Sequence, residues 1–349
     1  MKKIYCLDNK AEVFKTTNLL SWLNFPYELI DINDISPKSN SVIIASPKQF
    51  NNFDECVELL KDNFTKVIII NDDNLPVKPQ QIKNTFVLGY ETEYDKQSLQ
   101  FIENDFNFNY VHCRVAFEKS IDNLPLIVKM LNNRIRGKHY TNLNRYPKVH
   151  RLEVMDYIIK NDLFDEGYNS FVFGKHKVDN LFPKKYNSVK QKLPITLDLN
   201  KFNDDWTLPD PFTNSDGIPY QYTLDSYLQI VTETQFSEDG SSWVSEKIAK
   251  PFVSMNTMLL VAQPGTLNWW KQKGFETFDY MFDESYDLEK DNKKRISLIL
   301  QELTNYINLD LNDVNDIYNQ NINKMEHNFY HFKNYANNEL QKVLKIIND

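Results

Sequence analysis

A basic stretch at residues 144–151 is the first part of the chain whose side chains are suited to chemistry. It reads Asn-Arg-Tyr-Pro-Lys-Val-His-Arg and supplies two guanidinium groups, an ammonium and an imidazole. Apolar residues at helical spacing follow, so a helix is expected to begin here. Arginine side chains grip phosphate oxygens, and the N–H groups at a helix N-terminus point at anions. The stretch predicts a diphosphate site, although such a pattern is also typical of a solvated surface; its candidate ligands are Asn144, Arg145, His150 and Arg151.

A second group of chemically suited residues lies about 80 positions further on. Residues 230–234 read Ile-Val-Thr-Glu-Thr, an apolar strand that ends at Glu233, and open α/β sheets bind ligands at such strand ends. Next comes a helix for which Ser245 is a candidate N-cap. An acid in its first turn suits the hydroxyls of a ribose and a lysine suits a phosphate, which selects Glu246, Lys247 and Lys250. The alternative is an ordinary first-turn acid followed by surface lysines.

Two later segments are weaker candidates. Residues 257–267 predict a strand, a tight turn and a helix start, in which Gly265 allows the backbone to approach a ligand. Trp269 and Trp270 come next and favour a core or groove position over a platform for stacking a base. The acidic and aromatic segment 277–287 has carboxylates whose spacing demands neither a metal cluster nor a glycosidase pair. No metal site is therefore predicted.

Taken in order, these residues resemble a group of phage and bacterial glycosyltransferases over roughly residues 138–300. More distantly they are similar to the donor-binding domain of the α1,3-fucosyltransferases. The resemblance is carried by Asn-Arg and His-Arg in 144–151, the strand ending at Glu233, Ser-Glu-Lys at 245–247, Lys-Pro at 250–251, Pro-Gly at 264–265, Gly-Phe at 274–275 and the acidic run 283–287. Ser245 stands where that family has threonine.

The resemblance implies a GT-B fold and an inverting, metal-independent transfer from a nucleotide-sugar co-substrate, with no other cofactor. Carried over residue by residue, it places Arg151 and Lys247 on the donor phosphates and Glu246 on the ribose. Glu233 is placed near the sugar or its leaving oxygen and is a candidate catalytic residue. Removing Arg151 or Lys247 is then expected to weaken nucleoside diphosphate binding with little effect on thermal stability. The acceptor stays open between a glycan, a protein and a modified base, because residues 1–137 show no counterpart of the family's acceptor site.

An inverting transfer needs a general base that removes the proton of the acceptor hydroxyl. Asp72, Asp73 and Glu91 are candidates, since each comes shortly after a predicted strand, although turn or capping roles are the ordinary alternative. His150 is assigned to binding, because a neutral imidazole that holds a phosphate or the backbone suits a position beside arginines.

The elements that must position these residues alternate between strands and helices, which predicts a largely parallel sheet. In the first hundred residues the strands are expected at 3–7, 27–32, 41–46, 66–71 and 85–89, with helical segments around 14–23 and 53–63 and with 42–45 and 67–70 central in the sheet. Further on we expect a helical connection at 115–137, a helix at 149–161, an irregular insertion at 172–220 and helices from 291 to 349. The fold class is α/β with two Rossmann-like lobes: residues 1–137, a donor-binding lobe at 138–300, and a helical extension at 301–349.

Composition limits the remaining function classes. The 349 residues suit two domains, and the formal charge of −8, from 48 acidic and 40 basic side chains without long blocks, disfavours a general nucleic-acid surface. A phage enzyme that glycosylates modified DNA bases stays an alternative, as does a non-catalytic binding or assembly protein on the same scaffold. No G-x-G-x-x-G follows a strand, three scattered cysteines fit no disulfide framework, and no membrane span is expected. We expect the protein to be located in the cytoplasm, which is that of the host cell if the gene is carried by a phage.

Overall fold

A computed structural model of the chain describes residues 3–7, 28–30, 38–45, 60, 64–71, 85–89, 134–144, 147–171, 184–197, 220–237 and 246–348. The chain forms two compact units. One unit comprises residues 1–111 and 334–349, and the other comprises residues 112–333. The described elements are mixed α/β, and all the paired strands run parallel, as the alternating sequence pattern predicts.

The first unit is built on a sheet of five described strands in the order β2-β1-β3-β4-β5. Val42, Ile43 and Ile44 in β3 have no exposed surface, because a central parallel strand is covered on both faces. The predicted central position of 42–45 is confirmed. Of the helical segments predicted at 14–23 and 53–63 only Leu60 is described, and it is helical and buried. The strands are β1 Lys3–Leu7, β2 Glu28–Ile30, β3 Lys38–Ala45, β4 Phe64–Asn71 and β5 Thr85–Gly89.

The second unit is built on a sheet of four described strands in the order β7-β6-β8-β9. These are β6 Lys138–Asn144, β7 Gly167–Phe171, β8 Ser226–Thr232 and β9 Thr257–Val261. The last two are buried along their whole length, including the polar side chains of Ser226 and Gln229, although the sequence predicted an apolar strand only from residue 230 and from residue 257. Residues 134–137, which the sequence assigned to the end of a helical connection, are not helical and lead directly into β6. That prediction is wrong at its C-terminal end, where Arg136 instead donates to the carbonyl of Ser226 at 2.6 Å.

The helices of the second unit follow the strands closely. The predicted helix at 149–161 is confirmed as α1 Val149–Lys160, and the described parts of 172–220 contain the short elements expected there. Leu152 and Met155 of α1 pack with Phe171 and with Val189 of α2 in one buried cluster. Trp270 of α5 is 1% exposed against Phe252 and Phe275, which confirms its core position. The remaining bounds are α2 Asn187–Lys192, α3 Tyr220–Leu224, α4 Ala249–Val253 and α5 Thr266–Gln272.

Three helices close the chain, as the sequence from residue 291 predicts: α6 Asn292–Ile307, α7 Leu311–Gln320 and α8 Ile322–Asn348. Asp291 caps α6 by accepting the N–H of Lys294, and Asp310 caps α7 by accepting that of Asn312. Within the part of the chain that the structure describes, every helix is too short or too polar to cross a bilayer.

One close approach fixes the packing of β6 against β7. A Cβ added to Gly167 would lie 2.3 Å from the ring of Tyr140, so only glycine leaves room for that ring. The Tyr140 hydroxyl donates to the carbonyl of Leu163 at 2.9 Å, at the turn that leads from α1 into β7. This contact holds the turn that follows α1 against β6.

Candidate functional site

The chain reverses its direction across the second sheet between β6 and β8, because β7 lies on one side of β6 while β8 and β9 lie on the other. In open parallel sheets the carboxyl ends of the strands at this switch point form a crevice in which ligands bind. Here the two ends are joined by side chains. Thr232 donates its hydroxyl to Oδ1 of Asn144, and Nδ2 of Asn144 donates to Oδ1 of Asn142 at 2.7 Å. Asn144, a predicted site residue, therefore lies at the switch point.

Residues 233–237 leave the sheet at this point, and we call them the β8 loop. Pairing continues one residue past β8, because the N–H of Glu233 donates to the carbonyl of Val261 at 2.9 Å. The Glu233 side chain has no exposed surface, and its Oε2 accepts the N–H of Thr234 at 3.0 Å. The carboxylate of Glu233, a predicted site residue, therefore stabilises the backbone of the β8 loop.

His150, in the first turn of α1, holds the same loop. Its Nε2 lies 2.8 Å from the carbonyl oxygen of Glu233, and because a carbonyl only accepts, Nε2 carries the proton. The imidazole stacks on the ring of Phe236 at 5.2 Å between centroids. Burial, together with the nearby charges of Arg151, Lys148 and Lys247, lowers the pKa of His150 to about 4. The imidazole is therefore neutral at pH 7 and binds the backbone, one of the two roles expected from the sequence.

Arg151 is directed at the backbone of the β8 loop as well. It is 4% exposed, and its Nη2 donates to the carbonyl oxygens of Thr232 and Glu233, both at 3.3 Å. A buried guanidinium that satisfies two strand-end carbonyls stabilises the fold, since removing it leaves those oxygens without this donor. The expectation that Arg151 can be removed with little effect on stability is therefore revised, while its contact with a diphosphate stays a prediction.

Two lysines complete the basic cluster, and the ammonium groups of both donate hydrogen bonds to Thr234 of the β8 loop. Lys148, the N-cap of α1, donates Nζ to the carbonyl of Thr234, and Lys247 donates Nζ to the Thr234 hydroxyl at 3.2 Å. Burial lowers the pKa of Lys148, and the charges of Arg151 and Lys247 lower it further, against an opposing effect of Glu233. The field around Thr234 is thus positive in spite of the nearby carboxylate.

Arg295 of α6 holds the far end of the β8 loop. It is 1% exposed, and its guanidinium lies 4.2 Å from the centre of the Phe236 ring. Its Nη2 donates to the carbonyl of Ser237 at 3.0 Å, and its Nε donates to that of Ala262 at 3.1 Å. Phe236 is consequently in contact with His150 and with Arg295, and the loop is tied to both α1 and α6.

The remaining predicted residues fall into two groups. Asp72, Asp73, Glu91, Arg145 and Ser245 lie outside the described residues. Glu246 and Lys247 belong to a short 3-10 helix, Glu246–Ile248, and Lys250 lies in α4. The side chain of Glu246 is outside what the structure describes. The structure therefore brings Asn144, His150, Arg151, Glu233 and Lys247 together around residues 232–234.

Gly265 occupies the turn between β9 and α5 and has a φ of +82°, a conformation that by itself accounts for glycine. Its N–H donates to the carbonyl of Asp287 at 2.7 Å. The Asp287 carboxylate accepts the N–H groups of Leu267 and Asn268 at 3.0 and 3.1 Å, so an internal side chain caps this helix N-terminus. The ligand role predicted for Gly265 stays a prediction.

The acidic segment 277–287, which contains Asp287, forms hydrogen bonds and an ion pair within the fold. Glu284 accepts the hydroxyl of Thr277 and the N–H of Phe278, both at 2.8 Å, and pairs with Lys271 at 2.9 Å. No group of three or more histidine, cysteine and acidic side chains suited to a metal ion is found among the described residues.

Sequence reasoning did not select four contributors to this site, which are Lys148, Thr234, Phe236 and Arg295. Thr234 follows the strand-end acid Glu233 directly and Phe236 comes two residues later, so their positions offered a signal, but their residue types are ordinary for a loop. Arg295 is separated from the loop by 58 positions and looks like any charged residue of a polar helix. Its burial is a consequence of tertiary packing.

Comparisons of the chain with protein-family models, with curated proteins and with solved structures gave no match.

Proposed function

We propose that the chain is a glycosyltransferase that takes its sugar from a nucleotide-sugar donor and binds the donor's diphosphate at the switch point of the second sheet. The observation that carries the proposal is the convergence of Lys148, Arg151 and Lys247 on residues 232–234 at the carboxyl ends of β6 and β8. A two-lobed GT-B arrangement and an inverting, metal-independent transfer belong to the same proposal. They rest on the order of motifs along the sequence.

The cluster is suited to a leaving nucleoside diphosphate, because negative charge grows on that group as the sugar departs. Cations already fixed in place by the fold stabilise such charge without having to reorganise during the reaction. His150 contributes no charge at pH 7, and its bond to Glu233 together with its stacking on Phe236 keeps the loop in place. Glu246, one residue before Lys247, is proposed to accept the ribose hydroxyls.

Glu233 is proposed to organise the loop and to lie near the sugar. Its carboxylate accepts the N–H of Thr234 and has no exposed surface, so proton removal from an acceptor is better assigned to another group. Asp72 directly follows β4, and Glu91 comes two residues after β5. We propose one of these two as the general base.

A non-catalytic protein that retains donor binding is the second candidate. It rests on the same contacts as the enzyme: His150, Arg151 and Glu233 all form hydrogen bonds to backbone at the end of β8, and a rigid binding scaffold needs these contacts as much as an enzyme does. The two candidates differ in sugar release. A transferase frees nucleoside diphosphate from its donor over many turnovers, whereas a binding protein retains the intact nucleotide sugar.

The test is a thermal-shift screen against UDP, GDP, ADP, CMP and their sugar conjugates, with and without chelator, followed by assay of nucleoside diphosphate release. A ligand that binds the native state raises its melting temperature according to occupancy. We expect a chelator-insensitive shift with one nucleotide that is lost in Glu246→Ala and kept in Glu326→Ala, an exposed acid on α8. If none of these ligands raises the melting temperature, the proposal is overturned. If one of them raises it but no nucleoside diphosphate is released from its sugar conjugate, the chain is the binding protein.

A further inference from the structure

A row of buried polar side chains crosses one face of the second sheet. Tyr140, Asn142 and Asn144 alternate along β6 and so share a face, and Asn142 lies opposite Asn169 in the parallel pairing with β7. These four side chains and Thr232 of β8, which we call the amide row, are each at most 5% exposed. Buried polar groups are costly unless they are paired, so the partners of each amide determine which way it must face.

One end of the amide row is fixed by backbone carbonyls at the turn that leads from α1 into β7. A carbonyl only accepts, so the Tyr140 hydroxyl donates to Leu163 at 2.9 Å, and burial raises the pKa of Tyr140 so that this proton is retained. Nδ2 of Asn169 likewise faces the carbonyls of Phe164 and Gly167, at 2.9 and 3.4 Å. The Oδ1 atom of Asn169 is therefore turned the other way, towards β6.

This orientation passes from one side chain to the next. Asn142 meets Oδ1 of Asn169, an acceptor, so it presents Nδ2 there at 3.4 Å and turns its own Oδ1 towards Asn144. Asn144 consequently donates Nδ2 to Asn142 at 2.7 Å and turns its Oδ1 towards Thr232. The Thr232 hydroxyl then gives its proton to Asn144, at 2.5 Å. Every donor in the amide row points the same way, from the end of β8 to the turn after α1.

Thr232 joins the amide row to the β8 loop. Its carbonyl accepts from Arg151, the next residue, Glu233, pairs with β9, and the N–H of Thr234 donates to the Glu233 carboxylate. Hydrogen bonds that run in one direction polarise one another, so the loss of one member weakens bonds that it does not itself make. A change at the far end of the amide row should therefore reach the loop.

We propose that Asn142, Asn144 and Asn169 are positioning residues, which act through Thr232 to hold the start of the β8 loop from the turn that follows α1. The inference concerns how the loop is held and does not depend on which ligand the basic cluster binds, so it goes beyond the function proposed above. It gives Asn144 a role that needs no ligand, since its oxygen and its amide nitrogen both have protein partners.

The test is hydrogen exchange at the N–H groups of Glu233 and Thr234, read by NMR in the wild type and in Asn169→Ala. Exchange at both groups should become about tenfold faster, the factor that corresponds to the loss of about one buried hydrogen bond. Gln229→Ala is the matched control, because Gln229 is also 5% exposed and its amide makes two side-chain hydrogen bonds outside the amide row. Although Gln229 lies in β8 itself, its removal should change the exchange less than about twofold. Equal acceleration in the two variants, or none in Asn169→Ala, would overturn the proposal.

A second substitution tests whether the two ends of the amide row act together. Thr232→Val removes the hydroxyl at the near end and should accelerate exchange at Thr234 by a similar factor. The double variant with Asn169→Ala should be no more than about twofold faster than either single variant, because both changes break the same row. Factors that multiply would mean two independent contacts and would contradict the proposal.

Neutron diffraction from the unmodified protein reads the direction of the bonds and guards against variants that fail to fold. Deuterium should lie on Oγ1 of Thr232 towards Asn144, and on Nδ2 of Asn144 towards Asn142. Either amide found in the reverse orientation would refute the one-way row. None of these measurements uses a ligand, so a failure of nucleotide binding would remove the proposed donor site and leave this inference standing.

Discussion

The neutral, buried imidazole of His150 leads to a prediction about stability at mildly acidic pH. The side chain is 6% exposed, is stacked on Phe236 and donates to the carbonyl of Glu233. Its pKa falls from 6.5 to about 4, first because of burial and then because of the charges of Arg151, Lys148 and Lys247. Between these two pKa values the unfolded chain binds a proton that the folded chain does not.

Stability must therefore rise with pH across this window and fall as the solution is acidified. A shift from 6.5 to about 4 corresponds to about 3 kcal/mol in total. Most of it is lost early, since the unfolded histidine is almost fully protonated at pH 5 while the folded one is still neutral. We expect this one group to lower the free energy of unfolding by about 2 kcal/mol between pH 7 and pH 5.

The assay compares urea unfolding of the wild type and His150→Gln by tryptophan fluorescence at several pH values from 7 to 5. Glutamine retains a donor for the Glu233 carbonyl but does not titrate in this range. All other ionisable groups are common to both proteins, so the difference between their unfolding free energies isolates the imidazole. That difference should move by about 2 kcal/mol in favour of the variant as the pH falls. A constant difference would refute the assignment of His150 as a buried neutral group.

Three substitutions test the packing around the site by urea unfolding at pH 7. Arg151→Ala should lower the free energy of unfolding by about 2–4 kcal/mol, because two buried carbonyls lose a charged donor; a loss below about 0.5 kcal/mol would return Arg151 to the group of surface ligands. Gly167→Ala should cost about 1–3 kcal/mol, since its Cβ would meet the Tyr140 ring at 2.3 Å, and an unchanged stability would mean that the ring moves freely. Asp287→Ala should cost about 1–2 kcal/mol by uncapping α5. Asp283→Ala serves as its milder counterpart, because the exposed Asp283 carboxylate accepts from Ser285, only two residues away.

Strand and helix positions in the second unit follow from local patterns in the sequence. The apolar residues from 230 in β8 and from 257 in β9 are buried on both faces, so they carry no alternation and could be identified from composition, whereas the polar first half of β8 could not. The helix at 149–160 follows from apolar residues at helical spacing. The end of the predicted connection at 134–137 was wrong, because Arg136 is bound to Ser226 and lies over the rings of Tyr227 and Tyr318, partners that no local pattern announces.

The candidate site divides in the same way. The sequence by itself determined which elements end in polar or charged residues, because strand ends and helix starts leave local signatures, and it selected Asn144, His150, Arg151, Glu233 and Lys247 on that basis. Only the tertiary structure decided how deeply each is buried and what it bonds. Burial lowers the pKa of His150, so the imidazole is neutral. Packing places Arg151 against two carbonyls, Lys148 and Lys247 against the same threonine, and Arg295 against a residue 58 positions away. Those outcomes depend on which surfaces pack together, and packing is a property of contacts between residues distant in the chain.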